Sequence, residues 1–386
     1  MSDVFVNIKD ENVWVRNPLW IPIPEITYGD NKMYGVMAVY ENRTNELTLR
    51  FGGGQCQVDW GDGTSTTTSN LVLYTNTYDY ASTTSPVVVD SEGNNYKTIL
   101  FEVNFSATTT SIFVDRISGQ GGYDTQLLDL SIDCITASVI RYTSNKVSTK
   151  LERLRIYNHI VNSMNTTDRF ARSLRVMQYD TPLPGNYQNT FQYMGNVAKP
   201  DGTPISFNNS VTTQMNATFA YSTIKKIGNI SLSNATQLSG TFTYCTSLEE
   251  VGTLNTPSNT SFSSTFNSCL SLKSIGTITT SSSLTSIRQM FLYCVLVEEV
   301  EITDCSGITD TLNSFLYAYS LRSLILTGLT VGIDLRYTML EADALDAFFT
   351  ALGTANGSQT ITITNTPGAA TCDTTIATNK GFTIAS

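Results

Sequence analysis

Between residues 219 and 335 the apolar positions recur at a spacing too long for a helix or a strand alone. Thr241-Phe242-Thr243-Tyr244-Cys245-Thr246-Ser247-Leu248-Glu249-Glu250-Val251-Gly252 returns as Thr265-Phe266-Asn267-Ser268-Cys269-Leu270-Ser271-Leu272-Lys273-Ser274-Ile275-Gly276, with every landmark moved by 24. Met290-Phe291-Leu292-Tyr293-Cys294 follows after a step of 25, and Ser314-Phe315-Leu316-Tyr317-Ala318 after 24. Each coil offers Phe, then Cys three positions on, Leu or Val at six, and Ile, Val or Leu at nine. One coil cannot bury that set alone. Coils stacked at the strand spacing of about 4.8 Å can, so the pattern predicts a solenoid. Upstream, Phe219-Ala220-Tyr221 with Ile224 and Ile227 gives a coil one residue shorter, and Thr190-Phe191-Gln192-Tyr193-Met194 a more degenerate one. Leu151, Leu154 and Ile156, then Phe170, Leu174 and Val176, mark the opening coils. Cys245, Cys269 and Cys294 should form a buried ladder that Ala318 continues, with small size and weak polarity as the reason for Cys there.

Residues 33–145 alternate apolar and polar positions in short runs, as half-buried strands do. The expected strands are 33–40, 46–51, 55–60, 71–74, 86–90, 98–104, 111–114 and 127–134. Glycine-rich turns separate them, and Asp-Gly at Asp62-Gly63 supplies positive φ for a tight hairpin. Residues 1–24 read as an extended arm, because Pro18, Pro22 and Pro24 exclude helix. Its apolar side chains need cover, either on their own domain or on a partner subunit. At the other end, residues 341–353 predict a helix with acidic first turns, one face of Leu345, Phe348, Phe349 and Leu352, and a stop at Gly353. Strands over 360–364 and 381–384 complete a cap for the last open coil edge.

Two motifs carry family resemblances. Val58-Asp59-Trp60-Gly61-Asp62-Gly63-Thr64, followed by Thr77-Tyr78, resembles the polycystic-kidney-disease-type (PKD) domain, which implies an immunoglobulin-like sandwich used as a spacer or binding module. Phe-x-x-Cys-x-x-Leu-x-x-Ile, repeated over about residues 190–335, resembles the BspA-type leucine-rich repeat of bacterial surface proteins. The C-terminal run, Ala351-Leu352-Gly353-Thr354, then Gln359-Thr360-Ile361-Thr362-Ile363-Thr364, then Ala377-Thr378-Asn379-Lys380-Gly381-Phe382-Thr383-Ile384, resembles the terminal module of repeat-bearing structural proteins in bacteriophages. The expected fold is therefore mainly β: an arm (1–24), an immunoglobulin-like, PKD-like β-sandwich (25–145), a leucine-rich-repeat β-solenoid (146–338, clearest over 219–335) and a small α/β C-terminal cap (339–386).

Composition narrows the function. Lys and Arg number 23 against 33 Asp and Glu in 386 residues, a net charge of −10. That balance argues against nucleic acid as a partner and against adhesion to an anionic membrane. No run of about 18 apolar residues is present, so no membrane insertion is expected. The N-terminus lacks a basic region followed by an apolar run, so no signal peptide is expected. His159 is the one histidine, and the seven cysteines include no CxxC pair. Zinc-ribbon and thioredoxin chemistry are excluded, and free thiols are expected. The chain has no P-loop, GxGxxG after a strand, GxSxG or HExxH. Glu249-Glu250 and Glu298-Glu299 recur at equivalent positions, with Lys273-Ser274 between, and read as a solvated face. Asp59 and Asp62 are alternative calcium ligands, but the turn already explains them. No enzyme, cofactor or metal is expected.

The recognition candidates are aromatic. Tyr221, Tyr244, Tyr293, Tyr317 and Tyr319 lie in the repeat turn. Pointing outward they form a stripe for a host surface glycan or protein; pointing inward they are core. Phe5, Trp14, Trp20 and Ile21 are the candidate virion-anchoring side chains of the arm. The expectation is a non-enzymatic bacteriophage virion structural protein, made in the host cytoplasm. It would be tail-associated (fibre, spike or baseplate periphery) and held to other virion proteins by arm and sandwich. A capsid decoration or head-fibre protein and a bacterial surface adhesin are the alternatives, and a homo-oligomer is compatible with each.

Overall fold

The computed structural model describes residues 14–115, 126–137, 139–142, 150–157, 163–165, 174–179, 191–199, 202–210 and 212–386. The chain is mainly β and winds a β-solenoid of about nine turns. Thirteen strands build its N-terminal part: β1 (Lys32–Tyr40), β2 (Asn45–Gly52), β3 (Gln57–Asp59), β4 (Ser65–Thr67), β5 (Tyr74–Tyr78), β6 (Val88–Val89), β7 (Asn95–Asn104), β8 (Ser111–Asp115), β9 (Leu127–Asp133), β10 (Val139–Tyr142), β11 (Arg153–Tyr157), β12 (Ser163–Asn165) and β13 (Val176–Tyr179). They form an eight-stranded sheet, ordered β13-β11-β9-β1-β7-β3-β4 with β6 beside β7, and a five-stranded sheet ordered β12-β10-β8-β2-β5.

Each sheet changes character across its width. β1 pairs antiparallel with β7 and β9, and β2 antiparallel with β5 and β8. Beyond β9 and β8 the pairing is parallel: β9 to β11 to β13, and β8 to β10 to β12. Asp129 faces Arg153, and Arg153 faces Val176, steps of 24 and 23 residues. Coil winding thus begins inside the N-terminal sheets, and the large sheet crosses residue 145 without a break. The antiparallel strands serve as the base on which the coils stack.

β1 shows why the base needs a strap. Met33, Met37 and Val39 face the main core, which runs unbroken to the C-terminal cap. Val36, Ala38 and Tyr40 face the other way, in a second cluster with Val88, Tyr96 and Leu128. Residues 14–26 cover that cluster. Trp20 is 4% exposed and donates its indole N–H to the Tyr96 hydroxyl at 2.9 Å. Arg16 reaches Asp129 at 2.9 Å and donates to the Trp20 and Ile21 carbonyls. Asp129 is fully buried and is also held by Arg153, Nε to Oδ1 2.8 Å, with the second guanidinium nitrogen on Oδ2, the oxygen that Arg16 holds.

Local sequence explains the hairpin β3–β4. Gly61 takes φ +81°, and a Cβ there would lie 1.9 Å from the Leu100 carbonyl oxygen. Trp60 is buried and donates to Thr66 Oγ1 at 2.9 Å, and Tyr78 donates its hydroxyl to the Trp60 carbonyl at 3.1 Å. The strand expected over 71–74 lies instead at Tyr74–Tyr78. Leu71 takes φ +56°, which breaks the strand geometry, and Leu71, Val72 and Leu73 are half exposed.

The regular coils carry two short parallel sheets, one of six strands from Phe207–Asn209 to Ser323–Leu326 and one of three at Lys226–Ile227, Glu250–Val251 and Ser274–Ile275. The phenylalanines form a spine. Phe191, Phe219, Phe242, Phe266, Phe291 and Phe315 stack with ring centroids 5.3–5.5 Å apart. The cysteine ladder is buried and free of disulfides. Each thiol donates to the Phe carbonyl of the preceding coil: Cys245 to Phe219 at 3.0 Å, Cys269 to Phe242 at 3.1 Å and Cys294 to Phe266 at 3.0 Å. A second buried ladder lies beside it. Thr241 and Thr265 hydroxyls donate to Leu238 and Phe262 carbonyls at 2.6 and 2.8 Å, and Ser314 does the same to Thr311 at 2.7 Å. At the corner, coils approach too closely for a side chain: a Cβ on Gly252 would lie 2.4 Å from Asn229 Oδ1 and 2.8 Å from its backbone N.

The cap closes the last coil. Helix α1 (Ala342–Ala351) buries Leu345, Phe348 and Phe349. It ends two residues short of Gly353, because Leu352 turns extended. Lys380 donates to the Phe349, Thr350 and Leu352 carbonyls at 2.6–3.0 Å, placing a cation on the orphan acceptors of the helix end. Strands Ile333–Asp334, Gln359–Thr362 and Phe382–Ala385 form a parallel three-stranded sheet beside it.

Candidate functional site

Two residues in each coil turn occupy left-handed backbone. One lies two positions before the Phe, as in Ala217, Ser264, Gln289 and Asn313, and one two positions after it. The later position is Tyr193, Tyr221, Tyr244, Ser268, Tyr293, Tyr317 and, in the last coil, Tyr337, all with φ between 57° and 67°. Left-handed backbone costs a side-chain-bearing residue roughly 1 kcal/mol. The inter-coil bonds hold it in place: the Tyr221, Tyr244 and Tyr293 N–H groups donate to Thr243, Asn267 and Leu316 carbonyls at 2.8–3.0 Å. With Phe and Cys on either side pointing inward, the tyrosine points out.

The rings therefore lie outside the core. Tyr221, Tyr244, Tyr293 and Tyr319 are 43–48% exposed, and Tyr317 is half-buried. They stack face to face along the solenoid: Tyr193 on Tyr221 at 5.1 Å, Tyr221 on Tyr244 at 5.0 Å and Tyr293 on Tyr317 at 4.7 Å, all within 12° of parallel. Tyr319 meets Tyr317 edge-on at 5.9 Å. Tyr193 extends the ladder beyond the five residues read from the repeat, and the exposed Tyr337 takes the equivalent left-handed position in the last coil; their signal was the Phe-x-Tyr and Leu-x-Tyr spacing in the degenerate terminal coils. Ser268 interrupts it. Its N–H donates to Leu292 in the same register, and its hydroxyl donates to Asn267 Oδ1 at 2.9 Å. Two coil steps separate Tyr244 from Tyr293, about 10 Å at the usual strand spacing.

The arm residues have other duties. Trp20, expected to anchor the chain to a partner, is buried against its own sheet, because β1 presents an apolar outer face that needs cover. Ile21 is half-buried beside it, and Trp14 donates to Glu152 Oε2 at 2.9 Å. Phe5 and His159 lie outside the described residues. The exposed apolar cluster that the sequence did not announce is Leu71-Val72-Leu73, 46–52% exposed. Patches of this kind mark contact surfaces.

The remaining polar candidates have structural partners. Asp59 accepts from the Gly61 N–H at 2.9 Å, and Asp62 accepts from the Thr64 N–H at 2.9 Å and from Asn76 Nδ2 at 2.7 Å. Glu250 pairs with Lys226 at 2.9 Å on the surface. Among the described residues no three His, Cys, Asp or Glu side chains converge as metal ligands. Burial pushes the ladder thiols up, Cys245 to about 12, so they are protonated donors rather than nucleophiles. No helix among the described residues is long and apolar enough to cross a membrane. The chain matches no protein-family model, no curated protein and no solved structure.

Proposed function

We propose that this chain is a non-enzymatic structural and recognition protein of a bacteriophage virion. In this reading it is tail-associated (fibre, spike or baseplate periphery) and presents the tyrosine ladder to a glycan or protein of the host envelope. The observation that supports recognition is the ladder itself. Rigid, amphipathic tyrosine rings with Ser and Asn between them are the composition that binding surfaces use, because they offer area at low entropic cost. They are held outward on left-handed backbone in coil after coil.

The virion assignment rests on the C-terminal run, on reading the coils as BspA-type repeats and on reading the base as a PKD-like, immunoglobulin-like spacer. Leu71, Val72 and Leu73, rather than the strap, supply the contact to other virion proteins. Many copies per particle turn modest contacts into avidity.

Gold-labelled antibody on purified particles, with adsorption assays using free protein, tests this. Label at the tail, with adsorption blocked by the protein and not by the Tyr221→Ala/Tyr244→Ala variant, supports it. Label over the head replaces the tail reading with capsid decoration. Absence of label from every particle removes the virion assignment and leaves the surface-adhesin alternative. Equal blocking by the variant removes the ladder from the function.

A further inference from the structure

A cavity of about 660 Å³ lies where the strap, the edge of the large sheet and the first regular coils meet. Its lining includes Trp14, Glu152, Arg175, Asn196, Lys225 and Lys226. That volume falls within the range of small-ligand sites. Its charge opposes that of the molecule. In a chain with a net charge of −10, three cations among the described residues line one cavity with two carboxylates, Glu152 and Glu250. Glu250 is paired with Lys226 at 2.9 Å, and Arg175 and Lys225 line the same cavity as Glu152. Glu152 accepts the Trp14 indole N–H at 2.9 Å, and burial raises the proton affinity of its carboxyl. The indole is a fixed wall: its N–H is bonded, and the Arg153 guanidinium lies over the ring 5.2 Å from the centroid. Asn196 Oδ1 accepts the Lys225 N–H at 3.1 Å, which fixes the amide and turns its NH2 group to donor use.

We infer that this cavity is a binding site for a carboxylated pyranose, a hexuronic acid free or at the end of a polysaccharide. The indole lines the cavity and offers apolar surface to the C–H face of a sugar ring. The Arg175 fork suits a carboxylate. Glu152 and Asn196 supply an acceptor and a donor for ring hydroxyls. A doubly charged phosphate meets stronger repulsion from Glu152 than a singly charged carboxylate on the same guanidinium does. The site is separate from the tyrosine ladder, and its test does not depend on the virion assignment.

The test is calorimetric titration of the full chain with sodium glucuronate, a galacturonate trimer, glucose and inorganic phosphate. Tryptophan emission reads the same titration, because Trp20 and Trp60 are buried and Trp14 lines the cavity. The expected result is glucuronate binding at least tenfold tighter than glucose or phosphate, with a change in emission. Arg175→Gln should lose at least tenfold and Arg175→Lys should recover part of it. Arg175 has an exposed side chain, so an unchanged Tm checks the fold of both variants. The trimer binding as tightly as glucuronate identifies a chain end as the ligand source; glucuronate alone binding identifies the free acid. Equal affinity for glucose and glucuronate, phosphate binding as tightly, a change of less than twofold in Arg175→Gln, or no binding by 10-fold molar excess at about 1 mM protein would each overturn the proposal.

Discussion

Ser268→Tyr should stabilise the protein, although Ser268 is itself only 9% exposed and the new ring must fit between its neighbours. Ser268 already has φ +62°, within the 57–67° of the tyrosine rungs, so the substitution adds no backbone strain. The new ring would sit midway between Tyr244 and Tyr293, about 5 Å from each at the strand spacing, as in the stacked pairs on either side. Two such contacts contribute about 1–3 kcal/mol. Losing the Ser268–Asn267 bond costs about 0.5 kcal/mol, and ordering a two-torsion ring costs about as much again. The expected net gain is about 1 kcal/mol, a rise in Tm of about 1–3 °C for a chain of this size. Calorimetry gives the Tm, and near-ultraviolet circular dichroism should strengthen as separate tyrosine stacks become one. A cycle with Tyr244→Ala isolates the contact, with an expected coupling of about 0.5–1.5 kcal/mol. A fall in Tm of 2 °C or more, or zero coupling, would refute the reading of Ser268 as a missing rung.

Gly252→Ala drives a Cβ into the backbone of Asn229 and should cost about 1–3 kcal/mol, read as a lowered denaturation midpoint. Asp129→Ala strands Arg16 and Arg153 and loosens the strap; a loss of about 3–5 kcal/mol is expected, with faster proteolysis near residues 14–26 as the readout. Native protein at pH 8 should leave Cys245, Cys269 and Cys294 unlabelled by a thiol reagent, with Cys372 the reactive site and full labelling in denaturant. Stability should fall as pH rises from about 9, the unfolded thiol range, toward the folded values of about 12 for Cys245, Cys305 and Tyr96. The unfolded chain releases those protons first, so a flat stability profile from pH 8 to 11 would contradict the buried ladders.

The regular coils were legible because each exacts the same side chain at the same place. Phe242, Phe266, Phe291 and Phe315 announce a spine, and Cys245, Cys269 and Cys294 a core position, through their spacing alone. The buried hydroxyl ladder is the Thr or Ser before Phe, at Thr218, Thr241, Thr265 and Ser314 with Met290 interrupting it, but a polar residue in a Thr-rich chain carries no signal of burial. The junction was harder. β9, β11 and β13 keep the 24- and 23-residue register without the Phe and Cys landmarks, so the continuity of sheet and solenoid was hidden. The strap depended on Arg16 meeting Asp129, 113 residues away, which no local pattern encodes. Leu71-Val72-Leu73 misled because three apolar residues in a row read as strand, while the left-handed Leu71 puts them on the surface. The outward direction of the tyrosines followed from backbone handedness, which spacing alone cannot supply.

The continuity of the sheets makes length an independent variable of this molecule. A coil stacks on the coil before it and the coil after it, and each presents the same Phe landmark, with Cys at Cys245, Cys269 and Cys294 and the corner Gly at Gly228, Gly252 and Gly276. Duplicating or deleting one 24-residue unit between residues 219 and 315 therefore joins surfaces that already fit. Reach changes by about 5 Å per unit, while the strapped base and the helical cap keep their own contacts. Tandem gain and loss of gene segments would tune the span of such a protein in fixed increments, as a ruler is cut to its marks, and each added Phe-x-Tyr coil would bring its own aromatic rung.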